Sequence, residues 1–228
     1  MRKRRIGILG GISHESTIKY YELLLRKYFE RKRNYDYPEI VIFSLNFQKA
    51  TNFEDTYNKK GYIKYLLEGI KALERTGVDF ILIAANSPHS VYEQLVKFTK
   101  VPILSIIHAT AKKAIDENLK NLLLLGIKFT MQSDFYQNYF EKQGIKVLTP
   151  NVKDQEIIND IIFNELVLGI VKEESRKKLE NVINKFKVDG VILGCTELPL
   201  IIKDLGLNVK ILNTLELHVN YALEVLFS

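Results

Sequence analysis

The chain has 228 residues, 46% of them hydrophobic, so it can bury a sizeable core and is long for a single domain. Its formal net charge of +6 could indicate nucleic-acid binding, but no zinc-knuckle, KH or RNP pattern occurs and acidic residues are spread along the helices. A solvated basic surface explains the charge better. The single cysteine excludes an internal disulfide and is typical of a reducing compartment.

The first residues carry a cluster of basic side chains, as the start of a signal peptide does. The apolar run that follows is interrupted at Ser13, His14 and Glu15, so we predict no export signal. Nowhere does the chain approach the eighteen or so uninterrupted apolar residues that a membrane span needs. We therefore expect a cytoplasmic protein with neither a membrane nor a nucleic-acid partner.

Short apolar runs alternate along the chain with segments of helical spacing. This alternation predicts parallel strands joined by helices, which is an α/β fold. The predicted strands are residues 6–9, 40–45, 80–84, 102–107, 122–125, 145–148, 191–193 and 209–212. The predicted helices are residues 13–29, 61–75, 108–117, 135–144, 154–168 and 173–186, with a last helix that contains His218.

Parts of the pattern occur twice. Residues 78–89 and 188–199 both hold an acidic residue, an apolar run and a small polar turn, and Ala85 falls where Cys195 falls. A weaker echo links residues 5–11 to residues 121–127. We predict two similar three-layer lobes with parallel sheets and an active site in the cleft between them. The first lobe would be residues 1–107 plus 210–228, and the second residues 108–209.

Cys195 is the principal catalytic candidate, because ligands of open α/β sheets bind beyond the carboxyl ends of the strands. Backbone donors and a helix dipole in the segment after it would favour the thiolate. The alternative is that Cys195 packs as a small hydrophobe. Ser87 is equally ambiguous, since a serine before Pro88 is also a typical helix N-cap.

The first predicted strand ends in Gly10 and Gly11, where the backbone can turn tightly and approach a ligand. These glycines do not form a G-x-G-x-x-G fingerprint, and no lysine followed by serine or threonine completes a P-loop. We therefore predict no nucleotide site.

Several motifs, in this order and spacing, resemble the aspartate/glutamate racemases that work without pyridoxal phosphate. They extend from one end of the chain to the other. The matching residues are 6–11 with Ser13 and 15–17, 86–89, Thr130 with Met131, Phe135 with Tyr136, Glu165 with Leu166 and Gly169, 194–197, and Asn213 with Thr214 and His218.

The resemblance implies a homodimeric isomerase that acts on an amino acid or dicarboxylate and uses neither a cofactor nor a metal. In that family two cysteines flank the substrate, and one removes the α-proton while the other returns a proton to the opposite face. Cys195 matches the second cysteine. The family's carboxylate-holding positions correspond to Asn86, Ser87, Thr130 and Thr196, and we expect Gly11 and Glu197 to contact the substrate as well.

The first cysteine position is occupied by Ala85, which cannot transfer a proton. Some members of the family have threonine there, whereas the related arylmalonate decarboxylases have glycine and keep only the second cysteine. Ser87, His14 and His89 are possible substitutes for the missing base. The alternatives to a racemase are a one-cysteine decarboxylase or isomerase and a carboxylate-binding homologue without turnover. Two further positions depart from the family pattern. Asn213 stands where the family more often has aspartate, and His14 stands where close relatives often have tryptophan.

Overall fold

In a computed structural model, which describes residues 4–202 and 209–228, the strands form two parallel sheets. The basic cluster at the start of the chain lies partly outside the described residues. The strands are β1 (Arg5–Gly10), β2 (Glu39–Ser44), β3 (Phe80–Ile83), β4 (Ile103–Leu104), β5 (Asn121–Leu125), β6 (Lys146–Leu148), β7 (Gly190–Leu193) and β8 (Lys210–Asn213).

Helices connect the strands. They are α1 (His14–Lys32), α2 (Phe47–Asp55), α3 (Lys59–Arg75), α4 (Tyr92–Leu95), α5 (Ile106–Asp116), α6 (Lys128–Gln132), α7 (Phe135–Glu141), α8 (Val152–Asn164), α9 (Glu173–Ile183), α10 (Pro199–Ile202) and α11 (Thr214–Phe227). Three 3-10 helices cover Ser87–Val91, Val96–Phe98 and Leu166–Leu168. Among the described residues, no helix combines the length and the apolar character that crossing a bilayer requires.

The two sheets have the same strand order. The first runs β2-β1-β3-β4 and the second β6-β5-β7-β8, and the neighbouring strands of both sheets are parallel. The predicted α/β class with two parallel sheets is therefore confirmed. Strands β3 and β7 occupy equivalent places, so the two parts of the repeated sequence pattern have equivalent structural positions.

Each sheet belongs to its own compact unit. The first unit comprises the chain up to Ile106 together with His218–Ser228, and the second comprises Ile107–Leu217. Helix α3 packs its apolar face on the first sheet, where Leu66, Ile70 and Leu73 join buried strand residues in one core cluster. The second core is formed mainly by β5, β7, α8 and α9. Each unit thus has its own hydrophobic interior.

The repeated acidic residues have the same local function in both units. Asp79 precedes β3, and its Oδ2 accepts a hydrogen bond of 2.5 Å from the main-chain nitrogen of Arg5 at the start of β1. Asp189 precedes β7, and its Oδ2 accepts bonds of 2.8 and 2.7 Å from the nitrogens of Lys120 and Asn121 at the start of β5. These bonds lower the pKa of Asp189. In both units the acid ties together the starts of the two central strands.

Several sequence-based predictions differ from the structure. The strand predicted at residues 102–107 ends at Leu104, and helix α5 begins at Ile106, because a continuous apolar run does not distinguish a buried strand from a buried helix. Strand β8 pairs with β7, so residues 210–213 belong to the second sheet and not to the first lobe, where we had expected them. Helix α2 was not predicted.

Candidate active site

The first candidate region is the Cys195 turn, residues 194–197, which follows β7. Gly194 is required there, since a Cβ atom would lie 2.8 Å from Leu124 Cδ1 and 2.9 Å from the Leu125 carbonyl oxygen. The Cys195 side chain is 9% exposed, and its Sγ donates a hydrogen bond of 3.0 Å to Glu197 Oε2. Thr196 Oγ1 donates to the same oxygen at 2.9 Å. The thiol and the Thr196 hydroxyl therefore share one carboxylate oxygen as their acceptor.

Helix α10 follows the turn that holds Cys195, and its described part is Pro199–Ile202. The group next to the thiol is the Glu197 carboxylate, which acts as a hydrogen-bond acceptor.

Thr130 lies in helix α6, which follows β5, the strand next to β7 in the same unit. Strands β5 and β7 are paired, and the turns after them approach closely, since a Cβ at Gly126 would lie 3.1 Å from the Gly194 carbonyl oxygen. Thr130 is fully buried, and its hydroxyl has no hydrogen-bond partner among the described residues. A buried hydroxyl without a partner is costly to the fold, which makes Thr130 a good candidate for binding a ligand.

The second candidate region is the Ala85 turn, residues 84–89, which follows β3 in the first unit. Ala85, Asn86 and Ser87 are all buried, and Ala85 contributes only a methyl group. Ser87 begins a 3-10 helix, but the residue at the cap position is Asn86, and neither side chain caps the helix. The N-cap explanation of Ser87 is therefore wrong.

The hydroxyl of Ser87 instead belongs to a buried polar cluster that sequence reasoning missed. It lies near the carboxyl group of Glu54 on α2 and near Tyr62 on α3, and its interaction with each acts to lower the pKa of that group. Tyr62 Oη also donates a bond of 2.5 Å to Glu54 Oε1. Burial raises the pKa of Glu54, although the interactions with Ser87 and Tyr62 oppose that effect. Burial and the Glu54 carboxyl together hold the pKa of Tyr62 well above its usual value.

His89 and His218 form a second buried group in the first unit. His89 Nδ1 donates to the Ala85 carbonyl oxygen at 3.1 Å, and its Nε2 accepts from the nitrogen of Ile106 at 3.3 Å. His218 Nε2 donates to the Leu104 carbonyl oxygen at 2.9 Å, and its Nδ1 accepts from Tyr20 Oη at 2.8 Å.

Burial lowers the pKa of His89 to about 4 and that of His218 to about 3, so both rings are neutral near pH 7. Each ring uses both of its nitrogens in hydrogen bonds within the first unit. This arrangement favours a structural role for both histidines.

The remaining predicted residues lie at the end of β1. Gly11 has a φ of +81°, and a Cβ there would come within 2.2 Å of the Leu45 carbonyl oxygen, so only glycine fits. Its main-chain nitrogen donates to Thr17 Oγ1 at 2.8 Å. Ser13 caps helix α1 as predicted, by accepting a bond from the nitrogen of Ser16. His14 is exposed, and its Nε2 lies 3.2 Å from Glu15 Oε1.

The fold and these residues define an α/β protein whose two similar units present hydroxyl, amide and thiol groups at equivalent strand ends. The family model described as Asp/Glu/Hydantoin racemase matches residues 9–222, and the chain belongs to that family. The resemblance inferred from the sequence motifs is therefore confirmed.

Individual relatives agree with this assignment over nearly the whole chain. The broad specificity amino-acid racemase RacX of Bacillus subtilis is 26% identical over 220 residues, which cover 92% of each protein. A solved aspartate racemase homologue from Pyrococcus horikoshii is 38% identical, with a TM-score of 0.85 and full coverage of both chains. The aspartate racemase of Picrophilus torridus is 25% identical, with a TM-score of 0.82, and covers 98% of this chain and 94% of its own.

Proposed function

We propose that this protein is an amino-acid racemase that needs no cofactor and that uses Cys195 to exchange the α-proton of its substrate. The observation that carries the proposal is the hydrogen bond from Cys195 Sγ to Glu197 Oε2. When Glu197 takes that proton, the thiolate that remains is the form able to remove a proton from carbon.

Buried polar groups at positions that match the family's carboxylate-holding residues support the proposal in each unit by itself. The first unit has Asn86 and Ser87. The second has Thr196 and also Thr130, whose hydroxyl has no partner within the described part of the chain. Fixed donors stabilise the charge that develops on the carboxylate when the α-proton leaves. The net charge of +6 also favours anionic substrates, such as acidic amino acids and dicarboxylates.

Proton exchange in heavy water tests this function. NMR would follow deuterium incorporation at the α-carbon of a panel of L- and D-amino acids, with the wild-type protein and Cys195→Ser. We expect exchange with inversion, reduced roughly 10³-fold in the variant. Absence of exchange with every common amino acid would refute the proposal.

A second candidate function rests on Ala85. With a methyl group at that position, Cys195 alone can protonate a planar carbanion from one face, which suffices for a decarboxylase or a one-sided isomerase. That enzyme would invert no amino acid, and Ala85→Cys would create or raise racemase activity.

A carboxylate-binding homologue without turnover would instead bind a dicarboxylate without exchange, and Cys195→Ser would leave the binding unchanged.

Family resemblance extends the proposal to a cytoplasmic homodimer. Analytical ultracentrifugation would give the mass in solution, and a mass of one chain at micromolar concentration would contradict the dimer.

A further inference from the structure

His89 lies in the Ala85 turn and forms a hydrogen bond with each of its two ring nitrogens. Its Nδ1 donates to the Ala85 carbonyl oxygen at 3.1 Å, and its Nε2 accepts from the main-chain nitrogen of Ile106 at 3.3 Å. All three residues belong to the first unit. A carbonyl oxygen accepts and a main-chain nitrogen donates, so the two partners fix the neutral tautomer that carries its proton on Nδ1.

The orientation of this ring is fixed by its neighbours as well as by its bonds. The ring of Tyr92 is stacked on it, with centroids 5.7 Å apart and an angle of 12° between the planes. The ring of His218 crosses it at 80°, with centroids 6.2 Å apart. His89 is also buried among these groups. The Nδ1 donor is therefore held in one place relative to the Ala85 turn.

His89 controls the direction of two successive peptide groups in the turn. Its ring holds the carbonyl oxygen of Ala85, and its main-chain nitrogen donates to the carbonyl oxygen of Asn86 at 3.0 Å. Because a peptide group is planar, a fixed carbonyl oxygen also fixes the N–H group of the next residue. The two bonds together therefore set the conformation of Asn86 and Ser87.

We propose that His89 is a positioning residue for substrate binding, and that its bond to the Ala85 carbonyl oxygen holds Asn86 and Ser87 in the conformation that receives the substrate carboxylate. The inference rests on the proposed function, in which those two residues bind that carboxylate. His89 itself transfers no proton, because both of its nitrogens are engaged with the main chain. It is therefore not the substitute for the base that is missing at Ala85.

Asparagine and glutamine separate the two bonds of the ring. The amide of asparagine is as far along the side chain as Nδ1, so His89→Asn can keep the bond to Ala85 but loses the one from Ile106. The amide of glutamine extends to the position of Nε2, so His89→Gln can keep the bond from Ile106 but loses the one to Ala85. Both variants lose the ring contacts, so each is the matched control of the other for lost packing.

Steady-state racemisation kinetics, with the amino acid that the wild-type protein inverts fastest, test the proposal. We expect kcat/KM to fall by about tenfold in His89→Gln, chiefly through a raised KM, because the bond that orders the turn is lost. His89→Asn should remain within about threefold of wild type. Tyr20→Phe removes the bond from Tyr20 Oη to His218 in the same unit, and should lower the midpoint of thermal unfolding without a change in KM.

The order of the variants decides between positioning and a purely structural role. A structural role predicts that KM follows the midpoint of thermal unfolding through all three variants, and that result would overturn the inference. It is also overturned if His89→Asn raises KM as much as His89→Gln does, or if neither variant changes KM.

A spectroscopic test uses the wild-type protein and requires no activity. The NMR shifts of the His89 ring nitrogens near pH 7 should show a protonated Nδ1 and an unprotonated Nε2, and the opposite tautomer would overturn the inference by itself. Failure of the proposed function is a different result, in which the wild-type protein exchanges no α-proton although the tautomer is the expected one. That result would overturn both proposals together.

Discussion

The Ala85 turn and the Cys195 turn follow equivalent strands of two sheets with the same strand order, yet their chemistry differs. At the Cys195 turn the thiol, a hydroxyl and the accepting carboxylate come from three consecutive residues. At the Ala85 turn the hydroxyl of Ser87 comes from the turn, but its neighbours Glu54 and Tyr62 come from two helices. Equivalent fold positions therefore carry different polar groups, which come from the turn alone in one unit and from the turn and two helices in the other.

The largest expected difference between the two units is in how far their stability falls at acidic pH. His89 and His218 are neutral and buried in the first unit, whereas His108 of the second unit is exposed. Because their folded pKa values lie below 6.5, the unfolded chain binds more protons, and stability falls as the pH drops from about 7 towards 4. For His89 the loss between pH 7.5 and 5 is roughly 2 kcal/mol.

Urea denaturation at both pH values would measure this loss, with His89→Gln as the comparison. The variant should be less stable at pH 7.5 but lose less on acidification. Hydrogen exchange at pH 5 should rise in β3 before β7, and the opposite order would contradict the assignment of acid sensitivity to the first unit.

The next effect concerns the Cys195 turn. Glu197→Gln keeps the size of the side chain and the capacity to accept a bond from Thr196, but the amide cannot take the proton of Cys195. We expect the rate of α-proton exchange to fall by about 10²-fold and the midpoint of thermal unfolding to stay unchanged. Steady-state exchange rates and thermal melts would be compared with those of Glu93→Gln, on helix α4. Wild-type exchange in Glu197→Gln would eliminate Glu197 as the proton acceptor.

A smaller effect is expected at the two acids that precede β3 and β7, because they have the same local function in both units. Asp79→Ala and Asp189→Ala each remove an acceptor that joins the starts of two central strands. Each variant should lower the midpoint of thermal unfolding by a few degrees, and Asp189→Ala more, because it leaves two main-chain donors without their acceptor. Equal stability of Asp79→Ala and wild type would mean that the repeated acid has no such function in the first unit.

The smallest change in stability should follow Thr130→Val. The hydroxyl has no partner among the described residues, so its replacement by a methyl group should leave the free energy of unfolding within about 0.5 kcal/mol of wild type. Substrate binding should nevertheless weaken, which would appear as a raised KM. Loss of stability without a change in KM would assign Thr130 to the core instead.

Much of the fold was predictable, because buried parallel strands leave a strong local signal. The bounds of most strands were predicted to within a residue or two from apolar runs, such as Leu122 to Leu125, and from the glycine turns after them. The strand predicted from the apolar run at residues 102–107 was wrong beyond Leu104, since such runs also begin buried helices. The membership of β8 in the second sheet depends on pairing with β7, which no local pattern contains.

The candidate site was predictable where its residues adjoin a strand end. Cys195, Asn86 and Ser87 lie in the turns themselves, so the sequence pattern repeated at residues 78–89 and 188–199 identified them as candidates. Glu54 was missed because helix α2 was missed. Its signal was present, since Asn46 is the N-cap and Phe47, Ala50 and Glu54 share helical spacing, with an acid on the buried side.

The first unit is assembled from two separated parts of the chain. It begins with β1 but takes its final helical turns from His218–Ser228, and within it His218 bonds to Tyr20 and to the Leu104 carbonyl oxygen. During synthesis on a ribosome, the unit made first therefore waits for the last residues, while the second unit can complete its sheet and core beforehand. The order of folding would be the reverse of the order of translation.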